Sequence, residues 1–156
     1  MGHCLFLRKG EVHTPPSTVK EVIVAITADN IGDYFTVTNG IRYFEGSGTI
    51  FTSNNAGQAM YTASTVLTAK QDISVLAFDY SYSSEANYDK FTLKVGGTTV
   101  EDGVSGATTN KSYSGSLTTG QTVEFTYAKD SSQDKNDDKC TFSNMHITIL
   151  VSKGAA

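Results

Sequence analysis

Short alternating apolar and polar runs, broken by turn residues about every ten positions, organise this chain from residue 19 onward. Residues 21–27 (EVIVAIT) form a β-branched run with no helical period. Residues 34–38 alternate and stop at Asn39-Gly40, a strong turn signal, and short strands follow at 41–44, 48–52 and 63–69. Along 73–82, Leu76, Phe78, Tyr80 and Tyr82 share one face, and Val75, Ala77, Asp79 and Ser81 share the other. A strand sends successive side chains to opposite faces, so the first set predicts the buried side. Residues 91–95, Gly96-Gly97 and 98–100 read as a hairpin, because paired glycines supply the positive φ angles of a tight turn. A second turn at 118–121 joins strands at 113–117 and 122–127. In the closing strand, 141–151, the spacing slips between Phe142 and Met145, which predicts a bulge at Ser143-Asn144. No segment has helical periodicity; residues 56–63 are expected to form one turn at most.

This pattern predicts an all-β fold, an antiparallel jelly-roll β-sandwich with an extended N-terminal arm. Pro15-Pro16 blocks both helix and ladder pairing, dividing an arm at 1–18 from a domain at 19–153. At 156 residues the chain has the length of one domain. The arm's short apolar patch, Cys4 to Leu7, precedes its charges, the reverse of a secretory leader. No apolar run approaches the roughly 20 residues of a membrane helix. A net charge of -4 and no basic run argue against nucleic acid as a partner. Two cysteines, Cys4 and Cys140, make no disulfide framework and fit synthesis in a reducing cytoplasm. Without a leader, the sequon at Asn110-Lys111-Ser112 carries no meaning.

Chemistry concentrates in two acidic loops within residues 76–147. One offers Glu85, Asn87 and Asp89, the other Asp130, Asp134, Asn136, Asp137 and Asp138. Acid-rich strand ends are either solvated turns or a hard-cation site, since calcium takes six to eight oxygen ligands. The spacing lacks the glycine of an EF-hand, and Lys135 and Lys139 partly neutralise the second loop. His3, Cys4 and His13 match no common zinc pattern. No Gly-x-Ser-x-Gly elbow occurs, and His146 reads as a strand residue. Glu85 and Asp89 leave a glycosidase-type carboxylate pair open, but no second feature supports it, so the chain is expected not to be an enzyme. Eight tyrosines and no tryptophan leave Tyr80, Tyr82, Tyr88 and Tyr113 as candidate sugar platforms or half-buried strand positions.

The string FDYSYSSEANYDKFTL, a following Gly-Gly, Ser105-Gly106 and then LTTGQTVEFTYAKDSS resembles bacterial and phage jelly-roll domains related in style to CUB and MAM modules. The resemblance implies that Glu85, Asp89 and Asp130 lie together and hold calcium, as comparable acidic positions do in calcium-binding CUB domains. Of the candidate platform tyrosines, Tyr82, Tyr88 and Tyr113 are the expected ligand contacts. The CUB disulfides and a tryptophan near the second glycine turn are absent here, with Tyr113 nearest in place of the latter. The first sixteen residues, MGHCLFLRKGEVHTPP, resemble the start of small phage and prophage structural proteins of Gram-positive bacteria. This second resemblance implies a virion component on the tail or head. Its arm, through Leu5, Phe6, Leu7 and Arg8, would dock on other virion proteins or on further copies of the chain. The β-domain would then face outward for decoration or contact with a host glycan. A calcium-dependent carbohydrate-binding module is the alternative.

Overall fold

The computed structural model describes residues 18–131 and 136–152. Eleven strands and one helical turn follow in order: β1 (Val19–Ala25), α1 (Ile31–Tyr34), β2 (Phe35–Asn39), β3 (Phe44–Ser47), β4 (Ile50–Ser53), β5 (Thr62–Ala69), β6 (Ile73–Ser83), β7 (Lys90–Val95), β8 (Thr98–Val104), β9 (Lys111–Leu117), β10 (Thr122–Ala128) and β11 (Lys139–Ser152). They form two antiparallel sheets packed face to face, the expected jelly-roll sandwich. One sheet runs β3-β4-β11-β6-β9, and β1 pairs with the far half of β11; the other runs β2-β5-β10-β7-β8.

The inward faces are the apolar sets seen in the alternation. Leu76, Phe78 and Tyr80 of β6 and Val123, Phe125 and Tyr127 of β10 are buried, as are Phe142, Met145 and Ile147 of β11. Phe125 and Phe142 stack across the two sheets with ring centroids 4.0 Å apart. The β7–β8 hairpin turns on Gly96 and Gly97, both at positive φ (57° and 83°), where a Cβ would be strained. The expected bulge is present. The β11–β6 register shifts between Ser143 and His146, and Asn144 takes a φ of 51°.

Two strand boundaries are corrected, and the Asn39-Gly40 signal marks a crossing between sheets. Asn39-Gly40 does not join two paired strands: β2 pairs with β5, whereas β3 pairs with β4 in the opposite sheet. The chain crosses between layers here, and Gly40 donates its N–H to Ser64 O at 3.0 Å. The strand expected at 41–44 begins only at Phe44. Residues 31–34, the last of them expected in a strand, form a helical turn, and 56–61 form turns without helix. The helical turn is built on Thr27 and Asn30: the Asn30 carboxamide accepts the Thr27 N–H at 2.8 Å and donates to Ala25 O. Such side-chain bonds to nearby backbone compete with strand pairing.

Candidate functional site

Four loops meet at one end of the sandwich, around a buried ion network. Lys129 follows directly on β10 and continues the inward period of Val123, Phe125 and Tyr127, which carries its side chain into the protein. A buried ammonium must be paired. Lys129 Nζ pairs with Asp138 Oδ1 and lies 3.7 Å from Asp89 Oδ2; the Lys129 and Asp89 side chains are each 1% exposed. Tyr127 donates its hydroxyl to Asp138 Oδ1 at 2.8 Å and sits 3.5 Å from Asp89 Oδ2. Asp138 Oδ2 accepts the Gly57 N–H at 2.8 Å, and Asp89 Oδ1 accepts the Asp130 N–H at 3.0 Å. Burial pushes the Asp138 carboxyl upward, but hydrogen bonds from Lys129, Gly57 and Tyr127, with the Lys129 charge, outweigh it and hold the group below the usual aspartate value. Burial, then the Asp138 hydrogen bond and charge, push the Tyr127 phenol far above its ordinary range.

The surrounding loops are tied to this network and to one another. Asn136 donates its amide to Ser84 O at 2.8 Å, and the Asp137 N–H reaches Ser83 Oγ at 3.2 Å. Ser84 and Gly106 exchange backbone and side-chain bonds, and Asn87 N–H donates to Ser105 Oγ at 2.7 Å. Met60 N–H donates to Asp130 O at 2.8 Å. Asn55, fully buried, ties its loop to β10 by donating its amide to Tyr61 O and Tyr127 O. Asn87, Asn136, Asp138 and Met60 all have left-handed φ angles between 53° and 72°. Asn and Asp tolerate that region better than most residues do. The asparagines and aspartates of these loops therefore serve chain reversal as well as charge.

The residues nominated from sequence have different places here. Asp89 is central to the network. Asp130 joins it through its backbone N–H and carbonyl. Glu85 is buried, and its carbonyl closes the turn by accepting the Tyr88 and Asp89 N–H groups at 3.3 Å. Among the described residues, no group of three or more His, Cys, Asp or Glu side chains is placed to hold a metal ion. Asp138, one of the acidic-loop candidates outside the Glu85, Asp89 and Asp130 set, is 4% exposed and supplies the second carboxylate of the network. Lys129 was missed, although its inward register with Tyr127 was legible. Tyr82 stacks on Phe91 and Tyr113 on Phe78, with centroids 5.8 and 5.3 Å apart, and both are half-buried against the core. Tyr80 is core, its hydroxyl bonded to the buried Glu101 at 2.8 Å. Tyr88 is 57% exposed at the loop end. Tyr61, not nominated, is 47% exposed and carries the Arg42 guanidinium 4.7 Å above its ring. Leu5, Phe6, Leu7 and Arg8, with His3, Cys4 and His13, lie outside the described residues, as does Asp134.

No protein-family model matches the chain, and no curated protein matches it. Among solved structures, the secreted serine protease VesC from Vibrio cholerae is similar over 80% of this chain, with a TM-score of 0.58 and 16% identity. The chain spans only 28% of VesC, and at this identity the likeness is one of fold. A mutant of a family 29 carbohydrate-binding module is similar over 83% of this chain and 92% of its own, with a TM-score of 0.45 and 12% identity. The enzymatically active domain of tailspike protein 4 from bacteriophage CBA120 is similar over 85% of this chain and 19% of its own, with a TM-score of 0.32 and 13% identity.

Proposed function

We propose that this chain is a non-catalytic surface module of a phage virion that recognises glycan through its braced loop end. The observation that carries this reading is the buried Asp89–Lys129–Asp138–Tyr127 network, tied by hydrogen bonds to loops that present Tyr88 and Tyr61 to solvent. Loops on a rigid scaffold are the usual place for recognition. Loops ordered before binding lose less freedom on contact, which leaves more of the interaction as affinity. Exposed tyrosines offer large, stiff faces with a polar tip, suited to the apolar face and hydroxyls of a sugar ring. Calorimetry with soluble cell-wall glycan fragments from the host is the test. Tyr88→Ala and Tyr61→Ala should each weaken binding by about tenfold. Unchanged affinity in both variants would remove the loop end from the reading.

A calcium-dependent version of this site requires Glu85, Asp89 and Asp130 to turn their oxygens on one ion. Asp89 instead faces an ammonium, and the bond it receives from Asp130 comes from the backbone. This chain's residues fit a lysine in the cation's place better than a divalent metal. Calcium at millimolar concentration is expected to leave the melting temperature unchanged. A bound ion at about a hundred times its Kd would add about 2.7 kcal/mol, so a clear rise would restore the calcium reading.

Attachment falls to the arm. In sequence it precedes β1, which pairs with β11 alone and so forms an edge strand among the described residues. Such an edge accepts an added strand from a neighbour. Deleting residues 1–16 should leave the sandwich folded and abolish incorporation into particles. Normal incorporation of the truncated protein would end the docking role.

A further inference from the structure

A second polar feature lies away from the loop end, on the outer face of the sheet that contains β6, β9 and β11. The register sets Ser143, Asp79 and Ser112 side by side across three strands, and His146, Ala77 and Ser114 in the adjoining row. Small side chains at Ala77, Ser112 and Ser114 leave depth, and a groove of about 380 Å³ opens there, rimmed by Asn144 and His146. That volume is near the lower end of small-molecule sites, roughly 300–1,000 Å³.

The groove is organised by the β11 bulge. With one extra residue between Ser143 and His146, Asn144 is held at a φ of 51° and its amide donates to Asp79 Oδ2 at 3.2 Å. Ser112 donates to Asp79 Oδ1 at 2.8 Å. Bulges recur where a side chain must be re-aimed, and aspartate is depleted from strand interiors. Here an aspartate in mid-strand is met by a bulge that turns an amide onto it. Hydrogen bonds from Ser112, then Asn144, hold the Asp79 carboxyl below its ordinary value, which favours the carboxylate.

We propose that this groove binds one neutral, polyhydroxylated ring, a single sugar residue of a glycan, with Asp79 as the central acceptor and Asn144 and His146 as flanking polar groups. The lining chemistry selects this class. Asp79 accepts internal bonds from Ser112 and Asn144, with Asn110 a further donor, and a carboxylate's roughly four lone-pair sites leave capacity for a ligand hydroxyl; Asn144 keeps a second N–H and its carbonyl oxygen, and Ser112 Oγ still accepts. Vicinal hydroxyls both donate and accept, which matches that mixed set. An anion would meet the Asp79 charge. A hard cation would find a single carboxylate in the lining, and an apolar ligand would strand its hydrogen-bonding groups.

This inference rests on the glycan reading above but concerns a different surface, and one experiment separates the two. The full chain, labelled for amide NMR, is titrated with the methyl glycosides of glucose, galactose, mannose and N-acetylglucosamine. At least one is expected to shift the amides of Ala77, Asp79, Ser112, Ser114, Asn144 and His146. Asp79→Ala should weaken that binding by about tenfold or more. Ser114→Phe, which fills the groove without touching the Asp79 bonds, should abolish it while the melting temperature stays near that of the unaltered chain. Shifts confined to residues 54–61 and 84–89 would uphold the loop-end site and overturn the groove. Shifts in neither region would overturn both, and groove shifts that survive Ser114→Phe would overturn this assignment alone.

Discussion

Replacing Lys129 with methionine is expected to destabilise the sandwich by about 3–5 kcal/mol, the usual cost of leaving a buried charge without its partner. Methionine preserves most of the volume and removes only the ammonium, which strands Asp89 and Asp138 beside each other. For a domain of this size, each kcal/mol lowers the melting temperature by about 2–4 °C, so a fall of roughly 6–20 °C should be visible in a thermal melt. A triple variant, Lys129→Met with Asp89→Asn and Asp138→Asn, should recover part of the loss, because no unpaired charge is left behind. A loss under about 1 kcal/mol in the single variant would mean that the network does not brace the loops.

The same network predicts the shape of stability against pH. The Asp138 carboxyl lies lower in the folded protein than its ordinary 3.8. Its contribution is therefore complete well above that value and is lost as pH falls through the lower folded pKa. Tyr127 titrates far above its ordinary 10.0 when folded, so its contribution is present below pH 10 and declines as the unfolded chain begins to ionise. Urea midpoints across pH should fall at both ends. Tyr127→Phe should flatten the alkaline limb selectively, although Tyr80 and Cys140, also raised mainly by burial, keep some slope there.

The second large effect is expected in the core. Phe142→Ala should cost about 3–5 kcal/mol. The Phe142 ring lies 4.0 Å from Phe125 of the opposite sheet and 4.6 Å from Phe51, with Phe44 and Phe78 also in contact range. Truncation opens a cavity between two rigid sheets that cannot close over it, so the cavity adds to the lost transfer energy. Tyr88→Ala, at an exposed loop position, should change stability by no more than about 0.5 kcal/mol. Comparing the two in urea separates packing from recognition. Equal losses would mean that the loop end is not the independent surface proposed for it.

Much of this architecture was legible in one dimension. The inward faces of β6 and β10, the Gly96-Gly97 hairpin and the β11 bulge each follow from side-chain period or local turn chemistry, which act over a few residues. The crossing at Asn39-Gly40 was not legible, because turn residues say that the chain reverses and not which edge it reaches. The helical turn at 31–34 is shorter than any periodicity can detect. Tyr82 and Tyr113 followed the same limit: alternation put them on a face, and contact with Phe91 and Phe78 made that face interior.

The acidic loops show the division most clearly. Sequence alone placed carboxylates at the ends of strands, and the lysine two positions after Tyr127 went unread. It could not say that Asp89 and Asp138, 49 positions apart by their numbers, would share that lysine. Nor could it show that Asp79, Ser112 and Asn144, on three different strands, would converge on one groove. Period and turn chemistry are local properties, written in neighbouring residues. The pairing of charges across loops and the depth of a sheet face depend on strand order and register, which are decided only when two apolar faces close on each other and exclude water.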